Sequence, residues 1–299
     1  EKSVPKPSAI DSELADTEFG SIEYVDRGTG APVLVVHGSP GGCDQGSLLG
    51  NFLVAAGFRV IAPSRPGYMR TALTPANASI DAQADAHAAL MTELGIERFA
   101  VVCWSGGGPS TYRLAVRHPN RVSTVVAIAA LSGPHVWNES IDEKLVMHTR
   151  PGYWLLSAMA RWAPKQTVAG TLGAEGALSK HDLKALAASV YSDEVKRAFV
   201  IAISLMASHT PPRKEGIGND KRSYAAMPDL ELSHIQAPVL LIHGDVDTDV
   251  DIRNSEHAGA QLANSTMVSM PGGGHICFWT APESADAQTK VIEFLGNNA

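Results

Sequence analysis

Short runs of β-branched and other apolar residues alternate along this chain with longer Ala-rich stretches. That alternation predicts βαβ units and a mostly parallel sheet, an α/β fold. Ser21–Asp26 reads as an early strand, followed by a turn at Gly28-Thr29-Gly30. Pro32–Val36 is short and continuously apolar, as strands buried on both faces are. Further strands are expected at Phe58–Ala62, Phe99–Cys103, Val122–Ala130, Pro238–Ile242 and Thr266–Met270. Between them, helices are expected over Ser47–Ala56, stopped by Gly57, and over Ser79–Leu94, opened by Ser79 and closed by Gly95. Pro109–His118 and Glu283–Leu295 read as helices too.

The strand–helix rhythm breaks near Gly133. From there to about Ser233 the pattern is helical and irregular, with Trp137, Met147, Trp154, Met159, Trp162 and Met206 along it. Residues 134–233 are therefore expected to form a helical cap inserted into a core domain made of residues 1–133 and 234–299. Pro211–Asp220 looks like a loop.

Length and composition narrow the class. A single α/β domain with an insertion suits 299 residues better than two independent domains. With 44% hydrophobic and 18% charged residues the chain reads as a soluble globule. Its net charge is −7 and its Lys and Arg are scattered, so no nucleic-acid partner is expected. No apolar run reaches the roughly 18–20 residues of a membrane span. Glu1–Ser8 is polar and Pro-rich and does not resemble a signal peptide, so the default placement is cytoplasmic. Cys43, Cys103 and Cys277 fit no zinc spacing, and an odd count does not make a full disulfide framework.

Candidate chemistry gathers at four strand ends. In Val101-Val102-Cys103-Trp104-Ser105-Gly106-Gly107-Gly108-Pro109 a strand turns sharply through one residue into a helix. A serine on such a turn needs small neighbours, and its hydroxyl projects above the sheet. Gly107 fills the second small position, and Cys103 stands where glycine is usual at the first. The N–H of Gly106, at a helix start, can face a developing oxyanion. A plain Gly-rich turn or a phosphate-binding loop would look similar in isolation. The Gly-rich loop His37-Gly38-Ser39-Pro40-Gly41-Gly42 also follows an apolar strand. There the N–H of Ser39 is the simplest second oxyanion donor, because Pro40 has none, and His37 is expected to brace the loop.

Val239–Ile242 leads into an acid-rich loop, His243-Gly244-Asp245-Val246-Asp247, where Asp247 is the expected triad acid, with Asp245, Asp249 and Asp251 as rivals. Pro271-Gly272-Gly273-Gly274-His275 lets the chain swing an imidazole back over the sheet, and imidazole titrates near neutrality. His148, His181 and His209 lack this setting. Ser105, Asp247 and His275 occur in the chain order of α/β-hydrolase triads, unlike those of chymotrypsin or subtilisin.

On these motifs the chain resembles the α/β-hydrolase superfamily over nearly its whole length. The resemblance implies an eight-stranded, mostly parallel sheet, a helical lid after the sixth strand, and no cofactor. Ser39-Pro40-Gly41-Gly42 is similar to the oxyanion loop of proline iminopeptidases, which usually have glycine at the position of Ser39 and a tryptophan directly after the nucleophile. Haloalkane dehalogenases and epoxide hydrolases use an aspartate where this chain has Ser105.

The expected activity is a serine hydrolase cleaving a carboxylic ester of a small to medium, partly apolar molecule, with an acyl-enzyme on Ser105. A proline iminopeptidase-like aminopeptidase, a lactonase and a carbon–carbon hydrolase are alternatives with the same triad, and a non-enzymatic ligand receptor is the remaining one. An aminopeptidase would need a cap carboxylate to grip the substrate amine, with Glu139, Glu143, Glu175 and Glu215 as candidates by location. Trp104, Trp137, Trp154 and Met159 are candidates to bind substrate, with Tyr153 and Trp162 beside them, although packing of the lid onto the body would explain the same residues. The partner expected is a small molecule; a homo-oligomer is left open.

Overall fold

The strands expected from the apolar runs pair into one sheet, in a computed structural model that describes residues 11–137, 149–207 and 212–298. They are β1 (Glu13–Thr17), β2 (Gly20–Arg27), β3 (Pro32–Val36), β4 (Arg59–Pro63), β5 (Phe99–Trp104), β6 (Val122–Ile128), β7 (Val239–Gly244) and β8 (Ser265–Met270). Their order is β1-β2-β4-β3-β5-β6-β7-β8. The pairs β1–β2 and β2–β4 are antiparallel, and the remaining five are parallel.

Side chains alternate between the two sheet faces, as strand geometry requires. Leu34, Val36, Ile61, Val101, Cys103, Val125, Ala127 and Leu241 face one core, with residues of the helices Ile80–Glu93 and Gly108–Arg117. Val33, Val35, Val60, Val102, Trp104, Val126, Leu240 and Ile242 face the other, with Leu49, Leu53, Val291 and Leu295. Each fully buried Val, Leu or Ile contributes about 1.5–3 kcal/mol relative to exposure, so the two layers fix strand register firmly.

Register sets where the loops emerge. Val36 pairs with Cys103, Trp104 with Ile128, Ile128 with Ile242, and Gly244 with Met270. The carboxyl ends of β3, β5, β7 and β8 thus line one edge, and the four motif loops leave from it, the place where open parallel sheets bind ligands.

Among the described residues, five α-helices lie between β6 and β7: Arg150–Trp162, Pro164–Ala174, Lys180–Ser192, Glu194–Met206 and Lys214–Ala225. Val168, Leu172, Val190 and Val200 from this group join the second core. Ser79 caps its helix as expected, accepting from the Ala82 N–H at 3.1 Å, and Gly95 closes it at φ +68°.

Several expectations need correction. The helix expected over Ser47–Ala56 starts earlier, at Cys43, and splits at Gly50 into Cys43–Leu49 and Asn51–Ala55. A Cβ at Gly50 would stand 2.9 Å from Val60 Cγ1, so the chain crosses β4 too closely there for any side chain. The stretch read as a loop, Pro211–Asp220, contains the start of the helix Lys214–Ala225. That helix buries Asn219, Asp220 and Tyr224, a largely polar inner face that gives no apolar stripe. The edge strand β1 and the helix Arg253–Gln261 were not foreseen, since both are mostly polar. All three cysteines are free and buried. Among the described residues, no helix is long and apolar enough to cross a membrane.

Candidate active site

β5 runs directly into a 3₁₀ turn at Ser105–Gly107 and then into the helix Gly108–Arg117. Ser105 sits at φ +54°, a left-handed conformation that costs a non-glycine residue free energy. The surroundings leave no room to relax it. A Cβ on Gly107 would stand 2.7 Å from the Val36 carbonyl oxygen, and one on Gly38 would stand 3.1 Å from Ser105 Cβ. The Leu131 N–H donates to the Ser105 carbonyl at 3.1 Å. Cys103, at the first small position, is fully buried, and its thiol is pushed up to about 12 by burial.

Asp247 and His275 meet although 28 residues separate them. His275 Nδ1 lies 2.7 Å from Asp247 Oδ2, and the two side chains are 3% and 0% exposed. Asp247 Oδ1 accepts from the N–H groups of Asp249 and Val250, both at 2.9 Å. His243, not singled out in the sequence, places Nε2 3.3 Å from Asp247 Oδ2 and is anchored by Ser255 and the Val250 carbonyl. Burial alone would raise Asp247, but His275, His243 and the Val250 N–H hold its carboxyl well below the usual carboxylate range. Burial alone would lower His275, yet the Asp247 charge, with Asp249 and Glu175 behind it, carries it above its ordinary value. Of the rival acids, Asp245 accepts from the Gly272 N–H and Asp251 pairs with Arg253 in solvent.

Trp104 joins the two halves. Its ring lies 4.9 Å from that of His275, its Nε1 donates to the His275 carbonyl at 3.2 Å, and it makes a T-shaped contact with Trp279 at 5.9 Å. Trp104, expected to bind substrate, packs against the imidazole of His275.

The His37–Gly42 loop is fixed by a buried polar network. His37 Nε2 accepts from the Arg65 N–H at 2.9 Å, and Nδ1 lies 2.7 Å from the Gly38 carbonyl, consistent with a proton on Nδ1. Burial first, and Arg65 second, hold His37 well below its ordinary value, so it is neutral. Gln45 accepts from the Gly38 N–H and donates to the Pro40 carbonyl, across a cis Ser39–Pro40 bond. Ser39 Oγ donates to Asp220 at 2.5 Å and accepts from Arg65 at 2.7 Å. Asp220 also takes the Tyr68 hydroxyl and two further bonds from Arg65, with both charged side chains 1% exposed. Tyr224, one turn on from Asp220, donates to the Gly106 carbonyl. Arg65, Tyr68, Asp220 and Tyr224 gave no sequence signal, since their partners lie up to 181 residues away.

Glu175 comes to the same place. The strand-like bridge of Gly176 with Asp247, the Ala177 N–H on the Val246 carbonyl and the His275 N–H on the Glu175 carbonyl stitch this segment onto both site loops. Carboxylate oxygens of Glu175 and Asp249 and a ring nitrogen of His275 lie within 4.8 Å of one another, the one cation-sized gathering found among the described residues.

The other substrate candidates are scattered. Trp137 packs between His135 and Tyr224, at 5.6 and 5.9 Å. Trp154 is 71% exposed and Met159 is also exposed, both on the helix Arg150–Trp162. Glu215 is exposed. Glu139, Glu143, Met147, His148 and His209 lie outside the described residues.

Comparison with known proteins agrees with this geometry. A family model described as alpha/beta hydrolase fold matches residues 31–282. The chain is 27% identical over 282 residues to the uncharacterized hydrolase YcgS of Bacillus subtilis, covering 92% of this chain and 95% of that one. It is 28% identical over 295 residues to a 2-hydroxy-6-oxononadienedioate/2-hydroxy-6-oxononatrienedioate hydrolase of Cupriavidus pinatubonensis, with 94% and 92% covered. The solved structure of an alpha/beta hydrolase fold protein from Nakamurella multipartita matches with a TM-score of 0.93 at 42% identity, over 95% of this chain and 99% of that one. Sheet order, strand-end loops and family match lead to one conclusion: the chain belongs to the alpha/beta hydrolase fold family.

Proposed function

We propose that this chain is a serine hydrolase that cleaves a carboxylic ester through an acyl-enzyme on Ser105. The observation that carries the reading is the 2.7 Å contact of His275 Nδ1 with the buried carboxylate of Asp247, at the same edge of the sheet as a serine held at φ +54°. His275 takes the Ser105 proton as the hydroxyl attacks the ester carbonyl, and Asp247 stabilises the imidazolium that forms. The proton then passes to the leaving alcohol. Water, deprotonated by His275, attacks the acyl-enzyme and releases the acid.

The oxyanion is held by the N–H groups of Gly106 and Ser39. Gly38 is committed to Gln45 and Pro40 has no N–H, which singles out Ser39 within its loop. Residues 134–233 serve as the cap over this edge, and Trp137 is the aromatic best placed to border the substrate, through Tyr224 on the Gly106 carbonyl.

The test is hydrolysis of p-nitrophenyl butyrate, with labelling by a fluorophosphonate probe. Ser105→Ala is expected to abolish labelling and to lower kcat by about a thousandfold or more. Undiminished turnover in that variant would refute the reading.

A further inference from the structure

One helix of the inserted segment is built inside out. In the helix Arg150–Trp162 the buried positions are Gly152 and Ala160, both small, while the large apolar residues Trp154, Leu155, Met159 and Trp162 are exposed, Trp162 at 77%. At 3.6 residues per turn Leu155, Met159 and Trp162 form one stripe with Trp154 at its edge, so the four share a face. The other side, with Gly152 and Ala160, packs on the helices Pro164–Ala174 and Glu194–Met206. Single exposed apolar residues are ordinary on a protein surface, but a contiguous face of them marks a place where something docks.

The charge beside this face is of one sign. Between Glu143 and Glu175 the chain has no Asp or Glu, although it has 31 in all, and Arg161 and Lys165 lie in that interval. Both are exposed, and Arg161 lies over the Trp162 ring at 5.0 Å. Neither is paired with a carboxylate among the described residues. In a chain of net charge −7, an acid-free interval around an exposed, indole-bearing helix is a local reversal of sign that favours an anionic partner. It does not suit a second copy, because a two-fold interface would set the same cationic patch against itself with no acid to pair with. Area argues the same way. The 13 residues make a helix about 20 Å long, and a face about 10 Å wide offers about 200 Å², against about 800 Å² per partner in a stable dimer.

We propose that the outer face of the helix Arg150–Trp162 docks on an anionic lipid surface. The helix lies in the plane of the interface, with Leu155, Met159 and the two indoles at the boundary of headgroups and acyl chains, where tryptophan concentrates. Arg161 and Lys165 meet lipid phosphates at the rim. Each contribution alone is weak, and apolar insertion together with basic contact holds the protein reversibly. Docking does not depend on the reaction at Ser105.

The experiment is flotation with vesicles of phosphatidylcholine alone and of equal parts phosphatidylcholine and phosphatidylglycerol, with tryptophan emission read in parallel. The wild type is expected to partition about tenfold or more in favour of the anionic vesicles, with a blue shift of its emission. Trp154→Ser with Trp162→Ser should lower that partition about tenfold and abolish the shift. Arg161→Glu with Lys165→Glu should remove the preference for anionic lipid. Both pairs of substitutions are at exposed positions, and thermal melting checks that each variant is folded. Added salt should weaken binding by the wild type. Failure of the wild type to partition into the anionic vesicles would overturn the proposal. So would equal partition into both kinds of vesicle, or partition that survives both pairs of substitutions. A lipid-free dimer in sedimentation equilibrium that Trp154→Ser with Trp162→Ser dissociates would overturn it too, because the face would then belong to a second copy.

Discussion

The indole N–H of Trp104 donates to the carbonyl oxygen of His275, tying the residue before the proposed nucleophile to the proposed base across 171 positions of chain. Ring contact at 4.9 Å accompanies the bond, so the imidazole is held by its backbone and by its face. Trp104→Phe keeps most of the packing and removes the donor. It should cost about 1 kcal/mol of stability in urea unfolding. Ester turnover should fall in kcat more than it changes in KM, because the histidine is then less well aimed. An unchanged kcat would show that the bond does not position His275.

The electrostatics of His275 predict the pH profile. Only neutral imidazole can take the serine proton. Burial opposes the imidazolium, but Asp247, Asp249 and Glu175 favour it and win, so the proton is held to higher pH. Activity should therefore rise with pH along a limb lying above the ordinary histidine value of about 6.5. Asp249→Asn removes one of the charges that favour the imidazolium, and the limb of kcat/KM should move to lower pH. A limb at or below the ordinary value in the wild type would contradict this account.

Asp220 and Arg65 are both 1% exposed and neutralise each other. Removing one partner of such a pair typically costs about 3–5 kcal/mol, because the other charge stays buried alone. Asp220→Asn should thus lower the urea midpoint strongly, while Arg65→Met with Asp220→Leu should recover part of the loss. Activity should not recover with stability in the double variant, since Ser39 loses its contacts to both side chains. Recovery of both would mean that the pair only fills space.

Gly38 tests how closely the oxyanion loop approaches the elbow. A Cβ there would lie 2.8 Å from Trp104 Cε3 and 3.1 Å from Ser105 Cβ. Gly38→Ala should cost about 1–3 kcal/mol by overpacking. It should also reduce kcat about tenfold or more, as the loop moves from the reacting carbonyl. Esterase assays beside unfolding curves separate the two effects.

The sequence made the strand ends legible because their signals are local. Gly272-Gly273-Gly274-His275 and the Cys103–Pro109 turn carry their own backbone requirements, and Pro32–Val36 carries its own burial. The helix Lys214–Ala225 was hidden because its inner face is polar: Asp220 is buried by Arg65, 155 residues away, and not by apolar neighbours. Glu175 could be named as a cap carboxylate but not placed, because only the stitching of Gly176 and Ala177 onto the β7 loop brings it to His275. Trp154, a large aromatic that reads as a pocket wall, is 71% exposed, because the pattern of apolar residues does not fix which face of a cap helix is covered.

One helix, Lys214–Ala225, touches both proposed oxyanion donors from behind, through Asp220 on Ser39 and Tyr224 on the Gly106 carbonyl. A displacement of that helix would loosen the two donors together, whichever way the rest of the inserted segment moved. Substrate admission and stabilisation of the negative charge are thereby yoked in this architecture, and mutations far out on the helix should be felt at the carbonyl before they are felt in the mouth of the site.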